Sequence, residues 1–258
     1  MDGFGPMQPA PSRSGGHLQP YVQELGGKRS MHFSILATQS CMDLARPDRL
    51  DLEYTRLMAG FLLLQPVPKT LAMIGLGGGS LARFCHRGLP DSRIAVAEIN
   101  PHVIALREQF AVPPDSERFR VIEADGAAFV RHAVEPLDVL LVDGYHAEGL
   151  PRSLSTQRFF DECARALSAT GVLVMNLWAE PRRKAQVLER IRRSFGGVAL
   201  VVDDTEGCNS VVFAANGRLL EDFRPGPLRR PSTLESAAWA PLQDALARWL
   251  AAWQREFS

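Results

Sequence analysis

Asp143 closes the apolar run Leu137-Asp138-Val139-Leu140-Leu141-Val142, and an ionisable residue in that position is costly unless it is paired or used. Tyr145, His146 and Glu148 follow it in a loop closed by Gly149 and Pro151. Three other apolar runs end in residues of similar interest. The first leads into Gly75-Leu76-Gly77-Gly78-Gly79-Ser80, where glycines allow a sharp turn and bring backbone N–H groups to a ligand at a helix N-terminus. A dinucleotide fingerprint would need glycine in place of Ser80, which counts against a nicotinamide dehydrogenase. The second ends at Glu98, 23 residues beyond Gly75, a spacing that suits an acid accepting from both ribose hydroxyls. The third leads to Asp125-Gly126, where a carboxylate could accept from an adenine amine, cap a helix, or do both. No Lys or Arg occurs in the glycine loop before Arg83, so the three sites together favour a nucleoside without a pyrophosphate.

The elements that must position these residues are legible as an alternation. Short apolar runs at Leu71–Ile74, Ile94–Ile99, Phe119–Ile122, Val139–Val142, Val172–Met175, Val198–Val202 and Val211–Ala214 are separated by helical stretches. The pattern predicts an α/β fold with a doubly wound, mainly parallel seven-stranded sheet, whose ligands bind beyond the carboxyl ends of the strands. Only the short segment Asp203 to Asn209 joins the last two runs, as in the nucleoside-transferase variant of that fold. Upstream, Leu52 to Leu64 has helical spacing and ends at Pro66 and Pro68. Residues 21–52 carry short β-type runs, Met31 to Ala37 and Ser40 to Leu44, and are expected to form a small N-terminal β-hairpin appendage. Residues 1–20, rich in Gly, Pro and Ser, are expected to be a disordered tail, and 53–258 the transferase domain. The C-terminal stripe Leu242, Leu246, Trp249, Leu250, Trp253 and Phe257 reads as a docked core face, and the basic helix Arg182 to Arg193 as a solvated one.

Bulk properties narrow the function. The 258 residues balance 29 Lys plus Arg against 29 Asp plus Glu, so no net basic field draws the chain to a nucleic acid or an anionic membrane. The longest apolar runs are too short to span a bilayer, which leaves a small molecule as the expected partner. Cys41, Cys85, Cys163 and Cys208 are scattered without metal-ligand spacing, so no metal is expected and reduced thiols point to a cytoplasmic setting.

In their order these blocks resemble the spermidine synthase (polyamine aminopropyltransferase) family, over about residues 30 to 215. The family's glycine loop, G-G-G-D-G-G, is similar to Gly75-Leu76-Gly77-Gly78-Gly79-Ser80. Its E-I-D-P resembles Glu98-Ile99-Asn100-Pro101, its G-D-G resembles Ala124-Asp125-Gly126, and its V-D-S-S-D-P-x-G-P resembles Val142 through Leu150. Thr156 to Phe160 falls where the family has T-x-x-F-Y, and Gln39 and Tyr54 resemble a Gln and a Tyr near its second hairpin. The resemblance implies an S-adenosylmethionine-type transferase fold and transfer of an aminopropyl group from decarboxylated S-adenosylmethionine to a diamine such as putrescine. It implies Asp143 as the base, Gly75, Gly77, Gly78, Glu98, Asp125 and Gly126 around the donor, and Gln39, Tyr54, His146 and Glu148 around the acceptor. A homodimer is the expected assembly. Two positions depart from the family: its second loop Asp is His146 here, and the Asp of its glycine loop is Gly78. In the family the acid of the glycine loop pairs with the aminopropyl ammonium, so glycine at position 78 leaves open transfer of a methyl or carboxyaminopropyl group from intact S-adenosylmethionine. A non-catalytic nucleoside-binding homologue is the remaining alternative.

Overall fold

The computed structural model describes residues 16–34, 37–146, 149–205, 207, 209–231 and 234–257. An antiparallel sheet comes first, with β1 (Tyr21–Leu25), β2 (Lys28–Ser34) and β3 (Ala37–Asp43). α1 (Glu53–Met58) runs into a 3-10 turn, Ala59–Leu63. The alternating unit then begins with β4 (Thr70–Ile74), α2 (Ser80–Gly88), β5 (Arg93–Glu98), α3 (Pro101–Ala105) and β6 (Phe119–Glu123). It continues through α4 (Gly126–Arg131), β7 (Leu137–Val142), α5 (Gln157–Ala166), β8 (Leu167–Leu177) and α6 (Pro181–Ser194). β9 (Leu200–Asp203), β10 (Ser210–Ala215), α7 (Leu219–Asp222) and α8 (Ser236–Phe257) complete the chain.

The seven strands lie in the order β6-β5-β4-β7-β8-β10-β9. The first five are parallel, and β10 runs antiparallel to both β8 and β9, as a direct turn between the last two strands demands. All five residues of β4 are buried, because a central parallel strand is covered on both faces. Leu71 and Met73 face a core built with α1, α2 and α8, whereas Ala72 and Ile74 face one built with α4, α5 and α6. The order reverses at β4, so the crevice between the carboxyl ends of β4 and β7 is the switch point.

The N-terminal sheet has three strands where the sequence predicts a hairpin. β1 is exposed at four of its five positions and carries no apolar alternation, which is why periodicity misses it. It pairs with β2 across Gly26-Gly27, both at positive φ (60° and 76°), as a two-residue hairpin turn requires. Of the tail read over 1–20, residues 1–15 lie outside the described residues, while Gly16, His17 and Leu18 run beside the cavity described below.

α8 buries the expected stripe: Leu242, Leu246, Trp249 and Trp253 are in the core, with Leu250 and Phe257 packed against it. Trp249 meets Phe213 and Phe223 edge-on at 5.9 and 5.1 Å. Gly60 makes room for it, since a Cβ there would lie 2.8 Å from the indole. Trp249→Ala removes the largest fully buried side chain, and we expect a loss of about 3–5 kcal/mol. Chemical denaturation checks this as a lowered midpoint with little change in slope; an unchanged midpoint would mean that α8 adds nothing to the core.

Candidate active site

The ladder does not stop at the strand ends. Gly75 N donates to Ala97 O (2.8 Å), Asp143 N to Ile74 O (2.9 Å) and Ala124 N to Glu98 O (2.9 Å), so four strand ends are held in register beyond the sheet. Gly75 sits at φ +91°, and a Cβ there would lie 2.3 Å from the Asp143 carbonyl oxygen. Only glycine fits. Above these ends lies a cavity of about 710 Å³ lined by Gly75, Gly77, Gly78, Glu98, Asp125, Gly126, Tyr54, Asp143 and His146 among others. The structure thus gathers nine of the eleven sequence-predicted site residues around one space. The other two, the Gln39 side chain and Glu148, lie outside the described residues.

One half of the cavity is built from backbone and two acids. Glu98 is 8 % exposed; its Oε2 accepts from Leu76 N (2.8 Å) and its Oε1 from Asn100 N (2.9 Å). A carboxylate offers about four lone-pair sites, so both oxygens keep capacity for a ribose diol. Asp125 caps α4 through Oδ1, which accepts from Ala128 N (2.8 Å); the capping reading therefore holds, and the second carboxylate oxygen could still accept from a ligand amine. Gly126 packs on Ile74, with room for no Cβ (2.3 Å). Arg83 is 2 % exposed and donates to the carbonyls of Gly78, Phe110 and Pro47. It braces the glycine loop from behind, where a phosphate-binding cation would face the ligand. Asn100 caps α3 through Oδ1 (3.0 Å to His102 N), and its Nδ2 donates to Leu18 O (2.9 Å), pinning the N-terminal segment beside the cavity. An aspartate there could cap but could not donate.

Gly78 has a physical reason to lack a side chain: a Cβ would lie 2.4 Å from Ser40 Oγ and 3.0 Å from Phe110. Ser40 of β3 occupies the space that the family's loop acid would need.

The other half is built around Asp143. Its Oδ1 accepts from Asn176 Nδ2 (2.9 Å), and the Tyr54 hydroxyl also donates to this carboxylate. Burial pushes the Asp143 carboxyl up to about 6, against the opposing pull of the Asn176 and Tyr54 hydrogen bonds. Tyr54 is raised well above the ordinary phenol range, first by burial and then by the charge of Asp143, so it acts as a donor. Tyr145 clamps the end of β8: its hydroxyl donates to Asn176 O (2.9 Å) and accepts from Trp178 N (2.7 Å). His146 is exposed at the rim, its backbone paired with Gly149. Sequence reasoning missed Asn176 and Trp178, although a polar residue directly after the run Val172–Met175 repeats the signal that marked Asp143.

The Glu98 geometry yields a test. Because Glu98 also holds two loop amides, its replacement alters more than ligand contacts, and a thermodynamic cycle separates the effects. We expect removal of the 2′-hydroxyl of 5′-methylthioadenosine to weaken binding to the wild type by about 1.5–3 kcal/mol in calorimetry. Glu98→Ala should bind both nucleosides weakly and about equally. A full 2′-hydroxyl effect in Glu98→Ala would remove the ribose assignment.

Comparison with known proteins agrees with this geometry. The spermine/spermidine synthase domain matches residues 52–205. The chain is 40 % identical over 194 residues to the polyamine aminopropyltransferase of Chromobacterium violaceum, covering 75 % of this chain and 74 % of that protein. Among solved structures it resembles a probable spermidine synthase from Corynebacterium glutamicum (TM-score 0.67, 19 % identity, 88 % and 83 % of the two chains). It also resembles human methyltransferase-like protein 13 in complex with SAH (TM-score 0.55, 26 % identity, 77 % and 89 %). A sheet of this order, with its glycine loop and acids at the switch point and a domain match over most of that sheet, has one reading: the chain belongs to the spermine/spermidine synthase family.

Proposed function

We propose that the protein transfers an aminopropyl group from decarboxylated S-adenosylmethionine to a primary amine, a diamine such as putrescine, in polyamine biosynthesis. The observation that carries this is Asp143: a half-buried carboxylate poised near 6, held by Tyr54 and Asn176, directly beside the glycine loop. Glu98 receives the ribose, Asp125 the adenine amine, and the loop Gly75–Gly79 leaves room for the sulfonium and its arm.

The acceptor amine has an ordinary pKa of about 10, so at pH 7 removing its proton costs roughly 4 kcal/mol. Asp143 offers charge to attract the ammonium and a base to take its proton. The freed nitrogen lone pair attacks the carbon attached to sulfur. The C–S bond breaks with its electrons going to sulfur, the sulfonium becomes the neutral thioether of methylthioadenosine, and the new N–C bond forms. A pKa near 6 leaves Asp143 ionised at neutral pH, while desolvation strengthens its pull on the incoming cation.

Gly78 favours a second reading. With Ser40 in the space of the family's loop acid, no carboxylate at this position rejects the carboxylate of intact S-adenosylmethionine. Transfer of a methyl or carboxyaminopropyl group from that donor is the alternative.

One experiment tests both. Each donor is incubated with putrescine, and nucleoside and amine products are separated by chromatography. We expect methylthioadenosine and spermidine from the decarboxylated donor, and a rate that falls as pH drops through about 6, where Asp143 gains its proton and loses its charge. Asp143→Asn should lower the rate by about 10²–10⁴ and abolish that acid limb. A methylated or carboxyaminopropylated product from the intact donor, with none from the decarboxylated one, would establish the second reading.

A further inference from the structure

We propose that Trp178 sets acceptor specificity, its indole face receiving the far ammonium of a diamine whose near nitrogen lies at Asp143. The inference rests on the aminopropyl-transfer reading and deepens it. Trp178 follows β8 directly, lines the cavity, and is 52 % exposed. At a cavity mouth such a ring offers an apolar, π-rich face to a ligand. It is also held in place. The Trp178 N–H donates to the Tyr145 hydroxyl (2.7 Å), and the Tyr145 ring meets the indole edge-on at 6.3 Å and 66°.

Charge makes the argument specific. Among the described residues the acids lining the cavity are Glu98, Asp125 and Asp143. Glu98 and Asp125 are bound up with the glycine loop and the α4 cap, at the nucleoside end. Asp143 takes the near nitrogen, beside Asn176, whose buried Oδ1 has no partner among the described residues and can accept a second N–H from it. The far ammonium still needs a partner, and at the position of the family's second loop acid stands His146, which brings no negative charge. A tryptophan face attracts an ammonium through its ring quadrupole. Asn176 and Trp178 both line the cavity, the Tyr145 hydroxyl holds the backbone of each, and two residues of chain span at most about 7 Å. A short linear diamine spans that distance, and the hydrocarbon between its nitrogens would lie along Tyr145.

The test compares putrescine with n-butylamine, which lacks the far ammonium. Binding to the protein–methylthioadenosine complex is measured by calorimetry, and kcat/KM with the decarboxylated donor. We expect the wild type to prefer the diamine, and Trp178→Leu to cut that preference about threefold to thirtyfold through KM, with Trp178→Phe intermediate. Methylthioadenosine affinity, which a general loss of structure would lower, should be unchanged. A diamine preference that survives in Trp178→Leu overturns the proposal, as does a preference lost in Glu148→Gln and kept in Trp178→Leu. Failure of putrescine to bind the wild type overturns it as well. Trp178-dependent diamine binding without turnover supports this assignment and overturns the aminopropyl-transfer reading, so the two failures are distinguishable.

Discussion

The site depends on one close approach, that of Gly75 to the main chain of Asp143. At the carboxyl ends of β4 and β7, Asp143 N bonds to Ile74 O and the Asp143 carbonyl fills the space of a Gly75 side chain. Any other residue at 75 would force the two strand ends apart. The consequence is chemical: on the proposed reading, the loop for the nucleoside and the carboxylate for the amine are built on adjacent strands of one ladder, which fixes their separation. Positioning of this kind is where a bimolecular displacement gains most of its acceleration.

Burial shapes the rest. Arg83 is kept dry, with burial lowering it to about 10, because three loop carbonyls need its donors. The same cost is met at Asp143 by Tyr54 and Asn176, which hold the carboxylate yet leave its pKa near 6. Tyr145 serves both halves of the acceptor end, fixing the backbone that presents Asn176 and the backbone that presents Trp178.

The sheet and the glycine-loop half of the cavity were legible in the sequence because their signals are local. Strands buried on both faces write themselves as apolar runs, and Gly75, Glu98, Asp125 and Asp143 each break such a run at its carboxyl end. β1 was not legible, since an exposed edge strand needs no alternation. The reason for Gly78 was hidden too, because Ser40 approaches it from a different sheet, 38 residues away in sequence. Asn176 and Trp178 carry the right signal in the right place, but their use becomes visible only once Tyr145 is seen bridging them.

The central claim is that Asp143 is a carboxylate held near the pH at which an amine base is useful. A carbon-13 NMR titration of the Asp143 side-chain carboxyl, assigned by its loss in Asp143→Asn, measures this directly in the protein with methylthioadenosine bound. The midpoint should lie about two pH units above an ordinary aspartate, near 6, falling neither to the free value nor above neutrality. A midpoint at or below 4 would contradict it, leaving Asp143 a solvated strand-end acid with no special fitness for the reaction.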